Sequence, residues 1–128
     1  MKNCFGNLAF EKLWARAVFE LNNIANYLQF QRLIQSAYKK KINKKNFIVK
    51  MAKIEFMAVK KTQKFYKDIW RPWIVSKNFR ACPGEWYIGT PLKFSDWIEQ
   101  FDKNADFPWK IYAHFYENHL EKWALANK

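Results

Sequence analysis

Wound at about 100° per residue, residues 47–70 separate into two faces. Phe47, Met51, Ile54, Ala58, Phe65 and Ile69 fall in one narrow arc, and Ile48, Val59, Tyr66 and Trp70 widen it. Lys50, Lys53, Lys60, Lys61, Lys64 and Lys67 take the opposite side, offset only by Glu55 and Asp68. Such a segment reads as an amphipathic helix with a buried stripe and a cationic back. Arg71-Pro72 is its expected stop, because the residue before proline avoids the α region.

The flanking sequence predicts more helix. Phe10, Trp14, Ala17, Leu21, Ile24 and Leu28 recur at spacings of 4, 3, 4, 3 and 4. That seam predicts one helix from Leu8 to about Ala37, packed in a bundle or a short coiled coil. Residues 39–45 hold five lysines in seven positions, which repel one another, so a loop or frayed end is expected there. Beyond the proline, Trp73-Ile74-Val75 and Trp86-Tyr87-Ile88 are β-prone, and Cys82-Pro83-Gly84-Glu85 supplies a turn between them. Thr90 as N-cap with Pro91 in the first position, or Ser95 as a competing cap, opens a further helix burying Leu92, Trp97, Ile98 and Phe101. Asp106 before Phe107-Pro108 opens the last one, in which Trp109, Tyr112, Tyr116, His119 and Trp123 share a face.

Three Gly and four Pro in 128 residues are too few for a turn-rich β-sandwich or barrel. The expected fold is therefore mainly α: three to four helices around an aromatic core, with a short hairpin or irregular segment near 73–91. No internal repeat or Gly/Ser linker divides the chain, so residues 1–128 read as a single domain. Met51 is an alternative start, from which residues 51–128 alone would be made.

Charge points to partners. The chain carries 23 Lys and Arg against 11 Asp and Glu, a net +12. Residues 32–80 hold 15 of the basic side chains and two of the acidic ones. A charge excess concentrated in the middle third suits a docking surface for a polyanion: RNA, DNA, an anionic lipid surface, or an acidic protein. The candidate docking residues are Lys39, Lys40, Lys41, Lys44, Lys45, Lys50, Lys53, Lys60, Lys61, Lys64, Lys67, Arg71 and Arg80. Seven Trp exceed the needs of so small a core. Trp70, Trp73 and Trp86 are the candidate aromatic anchors, beside Arg71 and Arg80.

Several chemistries lack their signatures. Cys4 and Cys82 form no CxxC pair and read as free thiols of a reducing compartment. His114 and His119 are five apart, so they diverge on a helix and do not form a metal pair. The longest uncharged run, Leu21 to Gln31, is eleven residues, short of the roughly twenty a membrane span needs. Asp96, Glu99, Asp102 and Asp106 read as a solvated acidic face, and no Gly-rich phosphate loop or GxSxG context accompanies them. No RNP-type run, KH loop or zinc knuckle is present. The chain is thus expected to be a non-enzymatic structural subunit without a cofactor or metal. The assembly it would join is an organellar ribonucleoprotein or a mitochondrial membrane complex. The alternative is a free-standing, sequence-independent RNA or single-strand binder. An intracellular location follows, mitochondrial or, alternatively, nuclear.

Overall fold

The computed structural model describes residues 8–121; Cys4 and Trp123 lie outside them. The fold is mainly α. Its helices are α1 (Leu8–Ala25), α2 (Tyr27–Tyr38), α3 (Lys44–Phe65), α4 (Arg71–Ser76), α5 (Phe94–Ile98) and α6 (Trp109–Phe115). Two π-helical turns, Tyr66–Trp70 and Tyr116–Glu121, and one 3-10 turn, Pro83–Trp86, complete the set. No strand occurs among the described residues. The chain forms two compact units, each discontinuous in sequence: 1–25 with 57–90, and 26–56 with 91–128. The N-terminal half of α3 belongs to the second unit and its C-terminal half to the first.

The ends of the helices follow local chemistry. Asn26 separates α1 from α2 where a single helix was expected; its backbone sits at φ −94°, ψ 11°, and its carbonyl takes the N–H groups of both Gln29 and Phe30. After α2, Lys40 turns left-handed (φ 55°), Lys40 N–H reaches Ala37 O, and Lys41 N–H reaches Ser36 O. This is a Schellman stop. Asn43 Oδ1 then accepts the Asn46 N–H at 2.8 Å and caps α3. The expected lysine loop is therefore a tight turn between two helices, and α3 starts at Lys44 rather than Phe47.

Pro72 does not end the helix. The π turn before it re-pairs the ladder, with Arg71 N–H on Tyr66 O. Proline has no N–H and its ring crowds the preceding turn; a widened turn accommodates both. The inserted residue also shifts the buried face: Tyr66, Trp70 and Ile74 go inward, and Ile69, expected in the core, is 55% exposed. Helix α4 carries Trp73-Ile74-Val75, so that run is helical rather than a strand. A second Schellman stop ends it, with Asn78 at φ 64° and Phe79 N–H on Ile74 O. Segment 77–91 is irregular, and no hairpin forms. Gly89, at φ 104°, holds a backbone conformation that side-chain-bearing residues avoid. Neither Thr90 nor Ser95 caps α5, which begins at Phe94 after an extended Lys93. Asp106 serves α6 through its carbonyl, which accepts the Lys110 N–H.

The first unit closes around Trp86, with Phe65, Tyr66 and Trp70 rings 5.1–5.9 Å away by centroid. Ala15 and Val18 of α1 cover this cluster, joined by Ile74. Glu11 is fully buried beside it. Its Oε2 accepts the Trp86 indole N–H at 3.0 Å and the Cys82 backbone N–H at 2.8 Å. Gln63 donates to the Tyr87 carbonyl at 2.6 Å, and Asn22 to the Thr62 hydroxyl at 3.1 Å. The second unit has two clusters. One gathers Ala37, Ile42, Phe47, Met51 and Leu120; the other gathers Ala52, Phe56, Trp97 and Ile98. Tyr112 donates to Glu55 at 2.8 Å, and Tyr116 to the Ile42 carbonyl at 3.1 Å.

Replacing Glu11 by Ala leaves two buried donors without their acceptor. Stability should fall by about 2–4 kcal/mol in urea denaturation, while Glu11→Gln, which keeps one acceptor oxygen, should lose less. A Glu11→Ala protein as stable as the parent would show that the carboxylate does not hold the unit together.

Candidate cationic and apolar docking surfaces

The sequence-predicted cations divide between the two units. In the second, Lys39, Lys40 and Lys41 are exposed around the stop of α2, Lys44 and Lys45 in the first turn of α3, and Lys50 and Lys53 further along it. A positive charge in the first turn opposes the helix dipole. Glu117 offsets it by accepting from Lys44 at 2.7 Å. That hydrogen bond and the lysine's charge hold the Glu117 carboxyl below its ordinary range. Lys40 and Lys41 also line a cavity of about 380 Å³ with Ile42, Asn43, Tyr116 and Leu120.

In the first unit, Lys61, Lys64 and Lys67 are exposed and Lys60 is half-buried. Lys64 pairs with Asp68 at 2.8 Å, and Lys60 donates to Gln63 at 3.4 Å. Lys67, Arg71 and Arg80 converge on one cavity of about 630 Å³, whose other walls are Tyr66, Val75, Ala81, Pro83 and Ile88. Lys67 and Arg71 stand four residues apart on the π turn and the start of α4; Arg80 comes from the segment after α4. Among the described residues, no carboxylate pairs with any of the three.

The tryptophans divide differently from the expectation. Trp73 is 45% exposed and available. Trp70 and Trp86 are buried, Trp86 completely, and neither is a surface anchor. The reason is the π turn, which brings Trp70 onto the inward face, and Glu11, which draws the Trp86 indole inside. Trp86→Ala should cost about 3–5 kcal/mol of stability and Trp73→Ala less than about 1 kcal/mol, as read by urea denaturation. Equal losses would place both rings in the core.

A larger surprise lies on α1. The seam expected to pack in a bundle or a short coiled coil is exposed along α1: Leu21 is 64% and Ile24 67% exposed, with Phe10, Trp14 and Ala17 also exposed and Leu13, outside the seam, at 67%. The buried face is Glu11, Ala15 and Val18. An acidic and a small residue at those positions do not read as core, because the sequence does not reveal the donors that Glu11 meets. Phe10 and Trp14 lean on Trp70 at 5.9 Å each, and Phe10 also lines an apolar cavity of about 320 Å³ with Trp73, Ile74, Lys77 and Phe79. The exposed strip thus runs from α1 onto α4.

The remaining titratable groups have structural roles. Asp106 accepts the Asp102 N–H and Asp102 the Asn104 N–H, each at 2.8 Å, which shapes the turn before α6. His114 is exposed beside Asn118 at 3.0 Å. His119 is exposed, its ring 4.9 Å from that of Phe115 by centroid. Among the described residues, no group of three His, Cys, Asp or Glu is placed to hold a metal ion. No helix there is long and apolar enough to cross a membrane. No protein-family model, curated protein or solved structure matches the chain.

Burial holds Tyr66 above the ordinary tyrosine range. Burial, then the Glu55 charge and hydrogen bond, holds Tyr112 higher still. In both, the folded state keeps a proton that the unfolded chain releases near pH 10. Stability should therefore fall as pH rises past about 10. Absorbance at 295 nm should show ionisation steps above pH 10 that Tyr66→Phe and Tyr112→Phe each reduce by one. A single step near pH 10 from every tyrosine would contradict the burial.

Proposed function

We propose that the chain is a non-catalytic subunit of a larger assembly, docked through the exposed seam of α1 against an apolar helix of an acidic partner protein. The observation that carries this reading is the seam itself. Its 4-3-4-3 spacing is the pattern a second helix fills with knobs and holes, and Leu21 and Ile24 are mostly exposed. Charge argues against a second copy as the occupant, since two chains of +12 repel. An acidic partner is attracted by the same field and arrives faster for it. An organellar ribonucleoprotein suits the lysine-rich surface, and a mitochondrial membrane complex suits the aromatic load.

A free-standing single-strand binder is the second reading. It is favoured by the exposed lysines of α3, which act as point charges and would contact phosphates without sequence preference. The two readings part on a pull-down from source cells. The subunit reading predicts recovery of a protein partner that survives nuclease. Leu21→Gln with Ile24→Gln keeps good helix formers at sites already exposed, so the fold should stand. Each apolar side chain buried at the interface contributes about 1.5–3 kcal/mol, so the double variant should weaken docking at least a hundredfold. Unchanged recovery of the partner by a folded double variant, or loss of all partners on nuclease treatment, would overturn it.

A further inference from the structure

The cavity bounded by Lys67, Arg71 and Arg80 has a composition that docking on α1 does not use. Three cations stand at its edge, two from one wall and one from the other, and none has a carboxylate partner among the described residues. Its remaining walls are Val75, Ala81, Pro83 and Ile88, which present only hydrocarbon, and the ring of Tyr66. Tyr66 is 4% exposed as a residue and contributes to the cavity lining. Arg71 is close enough to lower the cost of ionising it. A tyrosine hydroxyl can donate a hydrogen bond to a phosphate oxygen. At about 630 Å³ the cavity falls within the range of small-molecule sites.

These features select a ligand chemistry. A guanidinium fork suits two oxygens of one phosphate, and a lysine adds a point charge. Four hydrocarbon walls suit an apolar body attached to that phosphate. A nucleic-acid strand fits less well: no amide side chain lines the cavity to read a base edge, and the one ring is too buried to serve as a stacking platform.

We propose that this cavity binds an anionic amphiphile of the lysophosphatidate type, its phosphomonoester held by Lys67, Arg71, Arg80 and the Tyr66 hydroxyl, its acyl chain along Val75, Ala81, Pro83 and Ile88. The site shares no residue with the α1 seam, so either can fail alone.

The test uses the full chain and lauroyl lysophosphatidate below its micelle concentration, with calorimetry and amide chemical shifts as readouts. Saturable one-to-one binding is expected, with shifts at residues 66–88. Arg71→Gln and Arg80→Gln, both at exposed positions, should each weaken it about tenfold. Tyr66→Phe should weaken it severalfold with thermal stability unchanged, and Lys64→Gln, outside the cavity, should have no effect. Equal binding of the phosphocholine analogue would show that the cations do not read the headgroup. Inorganic phosphate binding as tightly would show that the hydrocarbon walls are unused. Displacement by a uridine oligonucleotide at lower concentration would assign the cations to a strand. Any of these three, or full affinity in the Arg71 and Arg80 variants, overturns the proposal.

Discussion

A buried carboxylate organises the first unit. Glu11 has no water to solvate it and so must be met by donors. Those donors come from the other end of the unit, the Cys82 backbone and the Trp86 indole. Meeting them fixes α1 against the 3-10 turn and sets the plane of the Trp86 ring. Phe65, Tyr66 and Trp70 then pack around that ring. The same contact turns Ala15 and Val18 inward and leaves the larger residues of α1 outside. It also anchors Cys82, and with it the segment on which Arg80 stands.

Much of this architecture is legible in the sequence, and what is missed has a local cause. The helical pattern of 47–70 is correct up to Phe65, where Phe47, Met51, Ile54 and Ala58 are all buried. One extra residue in a π turn then turns Ile69 outward while Tyr66 and Trp70, at the edge of the expected stripe, are buried, and no propensity marks where such a turn will sit. On α1 the helix is legible but its inward face is not. Hydrophobic periodicity finds the apolar side of a helix; it cannot tell a face buried within the chain from one presented to a partner. Of the candidate site, Lys67, Arg71 and Arg80 were visible as charges. Their convergence was not, because Asn78 must first turn the backbone left-handed for Arg80 to come round opposite Arg71.

The lysine-rich turn of the second unit shows how backbone geometry overrides side-chain repulsion. Five positive charges within residues 39–45 favour an open loop. Two capping devices close it instead, a Schellman stop at Lys40 and an Asn43 side-chain cap. Each satisfies orphan groups at a helix end, a contribution that solvent screening of exposed lysines does little to counter. The charges are thereby concentrated on one corner. Glu117 offsets a single one of them, and the aromatic rings of Tyr116 and Phe115 support the turn from beneath.

The distance in sequence between Glu11 and its donors, 71 residues to Cys82 and 75 to Trp86, bears on how the chain is made. On a ribosome adding about 5–20 residues per second, α1 emerges some 4–15 s before the turn that receives it. During that interval neither of its faces is covered, and the exposed seam is as open as the side destined for the core. A nascent helix in that condition is a substrate for any factor that shields apolar surface at the exit tunnel. A partner already present there would have the same seam available, so assembly and folding can begin on opposite sides of one helix.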